Sequence, residues 1–362
     1  MLDQHQIEQL LLPRLQTLEK ERTVLHKQIK NYEWQSDLLM IAGIISVPCL
    51  LFWTGTNQLL SSEFVTIIVT FFCVGIFMAI HHVRNNLKVK QNTLRAKFEQ
   101  QVKSSVYQEV FKTWNTTINY SPNQCIDQQD FERAGLHKNY SIYQGDDYCT
   151  GQLADGRTFH FSELLTQRVV EHTTIEGEYS SHKVPVFKGL FFMLEDTVPF
   201  EGFTGRVQIQ PTIPEKKTTK KKAKSNKKVA PKKYIEGILD ADFSNSSTLP
   251  SSSTSKAPLP SLFDRTYTVD GFGDRAAREK LPVDFCQQLS YLRSLLQQQI
   301  SVSFYDNKAY FTTRHQLDFW PVTADHSLLH SARVRYVASN FRMAFMLLEK
   351  IADVTTIDSS TT

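Results

Sequence analysis

Two runs without a single charged residue lie close together near the N-terminus: Leu38 to Trp53, LLMIAGIISVPCLLFW, and Phe64 to Ile80, FVTIIVTFFCVGIFMAI. They are 16 and 17 residues long. At 1.5 Å rise per residue each gives about 25 Å of helix, close to the shortest length that crosses a bilayer. Trp34 and Trp53 bracket the first run, where aromatic side chains suit a membrane interface. Pro48 lies within it and kinks a helix there. The expectation is a transmembrane hairpin over 37–82, with spans 38–54 and 64–81 in contact with the lipid bilayer. Lys20, Arg22, Lys27 and Lys30 precede it, Arg84, Lys88, Lys90, Arg95 and Lys97 follow it, and the loop Thr54 to Glu63 has no basic residue. Cytoplasmic flanks carry the Lys/Arg excess, so both termini are expected in the cytoplasm and the short loop outside.

The flanks themselves read as amphipathic helices. In segment 1–36, Leu11, Leu15, Leu18, Leu25, Ile29 and Tyr32 fall on alternating four- and three-residue steps, with Arg22 taking one seam position, a coiled-coil-like stripe. In segment 83–119, Leu87, Leu94, Phe98, Val102, Val106 and Val110 form a second stripe. Sequential elements tend to pack together, so an internal antiparallel stalk is the economical reading. Self-association into a homo-oligomer through 6–36 is the alternative.

Charge is as unevenly spread as hydropathy. The net +4 conceals one run of lysines: Lys216, Lys217, Lys220, Lys221, Lys222, Lys224, Lys227, Lys228, Lys232 and Lys233. Without them the chain is mildly acidic, which excludes a globally basic nucleic-acid-binding body. The run also lacks interleaved aromatics, so stacking on single-stranded nucleic acid is not expected. Beside an anionic lipid surface each lysine is worth about 1 kcal/mol. Residues 215–233 and the Ser/Pro-rich stretch 244–261 read as low-complexity insertions, and 353–362 as a disordered tail. Cys49, Cys73, Cys125, Cys149 and Cys286 show neither CxxC nor Cys/His spacing, so no disulfide framework or zinc site is indicated.

The remainder, 120–352, alternates like an α+β domain with a mainly antiparallel sheet and packed helices. Asp155-Gly156 is a two-residue hairpin signal; centred there, Thr150 pairs with Phe161 and Gln152 with Phe159. Val184 to Leu194 suits a central strand, and Phe203 to Ile209 and Tyr234 to Phe243 suit two more. Phe285, Leu289, Leu292 and Leu296 mark a helix. Ile300 to Phe304 and Ala309 to Thr313 form a hairpin turning at Asp306-Asn307, and Leu328 to Ile351 a long terminal helix.

Gly145, Asp146, Asp147 and Tyr148 with Gly151, then Phe161, Ser162, Glu163 and Leu164, then Phe187 to Phe192 including Gly189 and Phe191, form a recognisable pattern. It resembles a bacterial membrane family known as domain of unknown function 3137. Tyr267 to Leu281, with Asp274, Ala277 and Arg278, resembles it more weakly. The resemblance covers roughly 90–350 and breaks at the lysine run and the Ser-rich stretch. It implies two transmembrane helices before a cytoplasmic α+β domain, in the bacterial inner membrane, and brings no catalytic residues.

Nor do the residues indicate catalysis, a cofactor or a metal. Asp146 and Asp147 are adjacent, and neighbours on a strand point to opposite faces, so they share one metal only if they sit in a turn. In the register above His160 lies opposite Gly151, about 13 Å along the strand from Asp147, too far for a dyad. His81-His82 lack a third ligand. GxSxG, Walker A, HExxH and GxGxxG are absent, and Gly271-Phe272-Gly273 lacks a third glycine. The expected function is therefore a membrane-anchored scaffold or interaction module for other membrane or cytoplasmic proteins. The alternatives are an unfamiliar enzyme using Asp146, Asp147 and Glu163, or an anionic-lipid sensor using the lysine run.

Overall fold

A computed structural model describes residues 3–56, 63–173, 179–197, 205–212, 261–272, 277–296, 298–315 and 318–355. The tip of the first loop (57–62), the lysine run, the strand expected at 234–243, nearly all of the Ser-rich stretch, Gly273, Asp274 and the end of the tail lie outside the described residues. The chain divides into two compact units: 12–106 with 322–331, and 1–11 with 107–321 and 332–362.

The helical unit is built on α1 (Gln4–Thr56) and α2 (Glu63–Val102). They run antiparallel: Arg84 donates to Ser36 at 3.2 Å, Arg95 to Glu33 at 3.0 Å, and Gln101 to Glu21 at 2.7 Å. Leu15, Leu18 and Ile29 of α1, Phe98 and Val102 of α2, and Val106 just beyond it are buried. The segment 322–331 is tied to this pair, with Leu328 N–H donating to Glu19 at 2.8 Å and Arg22 donating to the Ala324 carbonyl at 3.1 Å.

The transmembrane hairpin is overturned. Among the described residues no helix is long and apolar enough to cross a membrane. The two spans, the membrane orientation and the multi-pass inner-membrane location are therefore withdrawn. What stands is an exposed apolar surface on these helices, including Ile41, Ile44, Phe71 and Phe77.

Among the described residues the second unit is α+β around an antiparallel sheet of eight strands. In chain order it contains α3 (Gln108–Trp114), β1 (Asn119–Ser121), α4 (Gln128–Ala134), β2 (Ile142–Gln152), β3 (Thr158–Thr173), β4 (Tyr179–Leu194) and β5 (Val207–Pro211). α5 (Ser261–Thr266), β6 (Tyr267–Asp270), α6 (Ala277–Lys280), α7 (Val283–Leu296), β7 (Ile300–Tyr305), β8 (Lys308–Arg314) and α8 (Ser331–Thr355) follow. The strand order is β1-β2-β3-β4-β8-β7-β5-β6.

Strand alternation divides the apolar residues between two faces. On one, Phe161 meets Phe111 of α3 at 5.8 Å and Trp320 at 5.9 Å, and Phe304 meets Phe285 of α7 at 5.7 Å. Phe341 and Phe345 of α8 close over Phe111 at 4.9 and 5.8 Å. On the other face the short α4 places Phe131 5.2 Å from Phe191 and 6.0 Å from Phe187. Asp127 starts α4 by accepting the Gln129 N–H, and Gly135, at φ 68°, ends it.

The expected hairpin register is off by one. Gly151 pairs with Phe159, and Cys149 with Phe161. Leu153 N–H reaches the Arg157 carbonyl at 2.9 Å, so the loop is Ala154-Asp155-Gly156, with Gly156 at φ 88°. A three-residue loop ending in a left-handed glycine is the next commonest hairpin closure after the two-residue turn. By contrast Asp306 and Asn307, at φ 54° and 53°, make the two-residue turn between β7 and β8.

Candidate functional site

Between Asp146–Glu163 and Cys149–Phe161 the β2–β3 ladder shifts register, so Asp147 and Tyr148 together oppose Ser162. This is a β-bulge. Asp147 takes φ 56°, and the two bulged N–H groups leave the ladder for the Pro122 and Gln124 carbonyls, at 3.1 and 3.0 Å. Strict alternation is lost, and one carboxylate oxygen each from Asp146, Asp147 and Glu163 lies within 4.8 Å of the others. The inference that Asp146 and Asp147 face opposite ways is thus corrected by the bulge.

Asp147 is fully buried and Glu163 nearly so. Tyr120 donates its hydroxyl to Asp147, and Phe319 N–H donates to Glu163 at 2.8 Å. Asn340 of α8 holds the Phe319 carbonyl and Tyr336 the Asp318 carbonyl, so Glu163 links β3 to a loop fixed from its other side. Burial, with the negative charges of Asp318, Asp146 and Asp147, pushes the Glu163 carboxyl up to about 8. Three carboxylates at this spacing make half of the oxygen shell that a hard divalent ion takes. Here two of them are already held by Tyr120 and Phe319, and the raised Glu163 carboxyl makes the cluster a place to store a proton.

The opposite face carries a pocket of about 520 Å³ between the sheet and α4, lined by residues including Cys125, Asp127, Asp130, Tyr148, His160, Met193 and Glu195. The bulge contributes here too, because Tyr148 is its second residue. The Tyr148 hydroxyl and His160 Nδ1 are hydrogen-bonded at 2.7 Å. His160 Nε2 is buried without a hydrogen-bond partner and lies 3.8 Å from Glu195 Oε1. Lys308 Nζ sits 2.9 Å from Glu195 Oε1, 3.7 Å from Asp130 Oδ1 and 3.8 Å from Met193 Sδ.

Burial pushes His160 below its ordinary range, so the ring is neutral at pH 7. Burial raises Tyr148 and Cys125, which stay protonated. Burial alone would raise Glu195, but the Lys308 ammonium outweighs it and holds the carboxyl below its usual value. The pocket thus presents a neutral imidazole, a phenol and carboxylates on a rigid wall.

The remaining motif residues are structural. Gly145 lies against Leu164, and Gly151 against the Phe159 ring. The buried Ser162 hydroxyl accepts the Ile126 N–H at 3.1 Å, fixing the loop that enters α4. Phe161, Phe187 and Phe191 are core, and Gly189 marks the close approach of β4 to β8. Sequence reading placed His160 as an isolated histidine and missed Asp130, Glu195 and Lys308, which are distant in sequence and carry no local motif. No family model, curated protein or solved structure matches this chain. The resemblance to domain of unknown function 3137 rests on the quoted residues alone.

Proposed function

We propose that the α+β unit is an interaction module that acts by binding a ligand in the pocket beside α4. The observation that carries this reading is the polar wall itself. The buried His160 Nε2 makes no hydrogen bond, with Glu195 Oε1 at 3.8 Å, and it lines a cavity large enough for a small molecule or a side chain. Core polar atoms are normally paired, and an orphan lining a pocket is a position for a ligand to complete. The test is a thermal-shift screen of the full chain against small polar fragments, repeated on His160→Phe. Fragments that raise the melting temperature of the native chain and not of the variant support the reading. A screen without any such fragment overturns it.

A second reading concerns the lysine run at 216–233. Ten lysines with one neighbouring acid at Glu215 favour a salt-sensitive contact with an anionic surface. It is independent of the pocket and is tested separately below.

A further inference from the structure

We propose that the groove between α1 and α2 binds a free long-chain alkyl carboxylate, with its head on Arg84. The site lies in the helical unit and is independent of the pocket beside α4. The first observation is its shape. The groove holds about 370 Å³, with walls of Met40 and Ile44 from α1 and Ile76, Phe77 and Ile80 from α2. Small-ligand sites are hollows of this size, mostly apolar, with a few polar groups that fix orientation. Gly43 adds depth, because a Cβ there would lie 2.8 Å from the Ile80 Cδ1. Ile44 and Phe77 are 60% and 67% exposed, so the walls present apolar surface for a chain to cover.

The second observation is the change of polarity along the groove. Neither Leu38 to Trp53 nor Phe64 to Ile80 contains a charge, and then His81 and Arg84 line the groove at one end. Arg84 Nε donates to Ser36 Oγ at 3.2 Å. That bond holds the guanidinium in place and leaves its two terminal nitrogens, a fork that matches a carboxylate. Among the described residues no carboxylate pairs with Arg84, and Glu33, across on α1, is held by Arg95 at 3.0 Å. Lys88, one turn beyond Arg84, adds positive charge, against which stands the exposed Asp37 beside Ser36.

These features select the ligand. From Ile76 to Arg84 the groove follows α2 for about 12 Å, so a chain lying along it places its head at the cation and its tail on the apolar walls. A neutral chain leaves Arg84 unpaired, a cationic head is repelled, and a short carboxylate buries no chain. A second copy of the protein fits less well, because its two apolar runs carry no acid to answer Arg84.

The experiment uses the full chain with carbon-13 in its methionine methyl groups, followed by NMR titration. Met40 lines the groove, Met78 is exposed on α2 outside it, and Met193 lines the pocket beside α4. The probes are octanoate, decanoate and dodecanoate below their micelle concentrations, with 1-octanol, octyltrimethylammonium and butyrate as controls. Met40 should shift saturably while Met78 and Met193 stay in place. Each added methylene should tighten binding about twofold to fourfold, and every control should bind at least tenfold more weakly than octanoate. Arg84→Gln keeps a donor for Ser36 and should weaken octanoate about tenfold without changing 1-octanol. Phe77→Gln, at an exposed position, should weaken every chain. Met78 moving together with Met40 would reveal adsorption on any apolar surface and overturn the site. Octanoate and octanol binding alike, with Arg84→Gln silent, would overturn the carboxylate. A Met40 shift produced by raising the protein concentration alone would assign a second copy as the occupant. A shift with phosphatidylglycerol vesicles and none with dodecanoate would assign a lipid bilayer. Either of these would also overturn the proposal.

Discussion

Asp146 on β2 stands directly opposite Glu163 on β3, and the bulge that begins at the next residue turns Asp147 onto their side of the sheet. Two adjacent acids that alternation would separate are thereby brought to one side of the sheet, Asp147 buried and Asp146 half-buried. The cost of that position is electrostatic, and protonation relieves it.

The consequence is a pH dependence. Glu163 titrates near 8 in the folded chain against about 4.5 for the free side chain. Between those values the folded state holds a proton that the unfolded state has lost. Stability is fully present below about pH 4.5, falls as pH rises, and levels above about pH 8, with a slope of up to about 1.4 kcal/mol per pH unit. Glu163→Gln keeps an oxygen for the Phe319 N–H and has no proton to lose. Denaturant melts of the native chain and the variant between pH 5 and 8 should show a stability difference growing in the variant's favour. Parallel curves would assign the proton elsewhere in the cluster.

Tyr120 bears on the same cluster. Its hydroxyl donates to the fully buried Asp147. Tyr120→Phe preserves the ring, which packs 5.0 Å from Phe111, and removes only the donor. Weakening the support of a buried carboxylate costs about 1–3 kcal/mol. The loss should be visible as a lower denaturation midpoint with unchanged cooperativity, and an unchanged midpoint would mean that Asp147 does not depend on the tyrosine.

The lysine run makes an electrostatic prediction. The full chain should sediment with vesicles containing phosphatidylserine more than with neutral phosphatidylcholine vesicles, and binding should fall steeply as salt is raised, because screening shortens the Debye length from about 10 Å at 0.1 M to about 3 Å at 1 M. Deletion of 215–233 should abolish the difference between the two lipids. Equal binding before and after deletion would exclude the run as the contact.

How much of this was legible depends on how local each cause is. The antiparallel pattern and the Asp306-Asn307 turn follow from residues that sit side by side, and so were accessible from the chain alone. The Asp155-Gly156 signal was also local, but it cannot distinguish a two- from a three-residue loop, and the register moved by one. The bulge depends on carbonyls at Pro122 and Gln124 receiving the N–H groups of Asp147 and Tyr148, a tertiary fact with no sequence signature. The pocket joins Asp130, His160, Glu195 and Lys308 from four separate elements, so it had no motif to find. The transmembrane expectation failed differently: charge-free composition marked the apolar runs, but among the described residues no helix is long and apolar enough to cross a membrane.

Gly189 tests how tightly the sheet that carries the site is fixed. It pairs with Leu164 on β3 and Arg314 on β8, at φ 155°. A Cβ placed there would lie 2.0 Å from the Thr313 carbonyl oxygen and 3.0 Å from the Arg314 Cα and the His315 nitrogen. All three are backbone atoms, which cannot swing aside as a side chain does. Gly189→Ala must therefore separate β4 from β8 or break the His315 N–H to Lys188 carbonyl bond, which is 2.9 Å long. Overpacking at a rigid contact costs about 1–3 kcal/mol, and parting a strand pair adds lost ladder bonds, so the total should reach at least about 3 kcal/mol. Because Met193 and Lys308 lie on these two strands, the variant should also lose binding at the pocket while the sheet partly holds. Gly151→Ala is the comparison: its Cβ would meet the Phe159 ring at 2.9 Å and the Ile118 side chain at 3.0 Å, both side-chain atoms able to yield. Circular dichroism melts of the two variants should show the larger drop for Gly189→Ala, and the reverse order would mean that β4 and β8 have more freedom to separate than their packing implies.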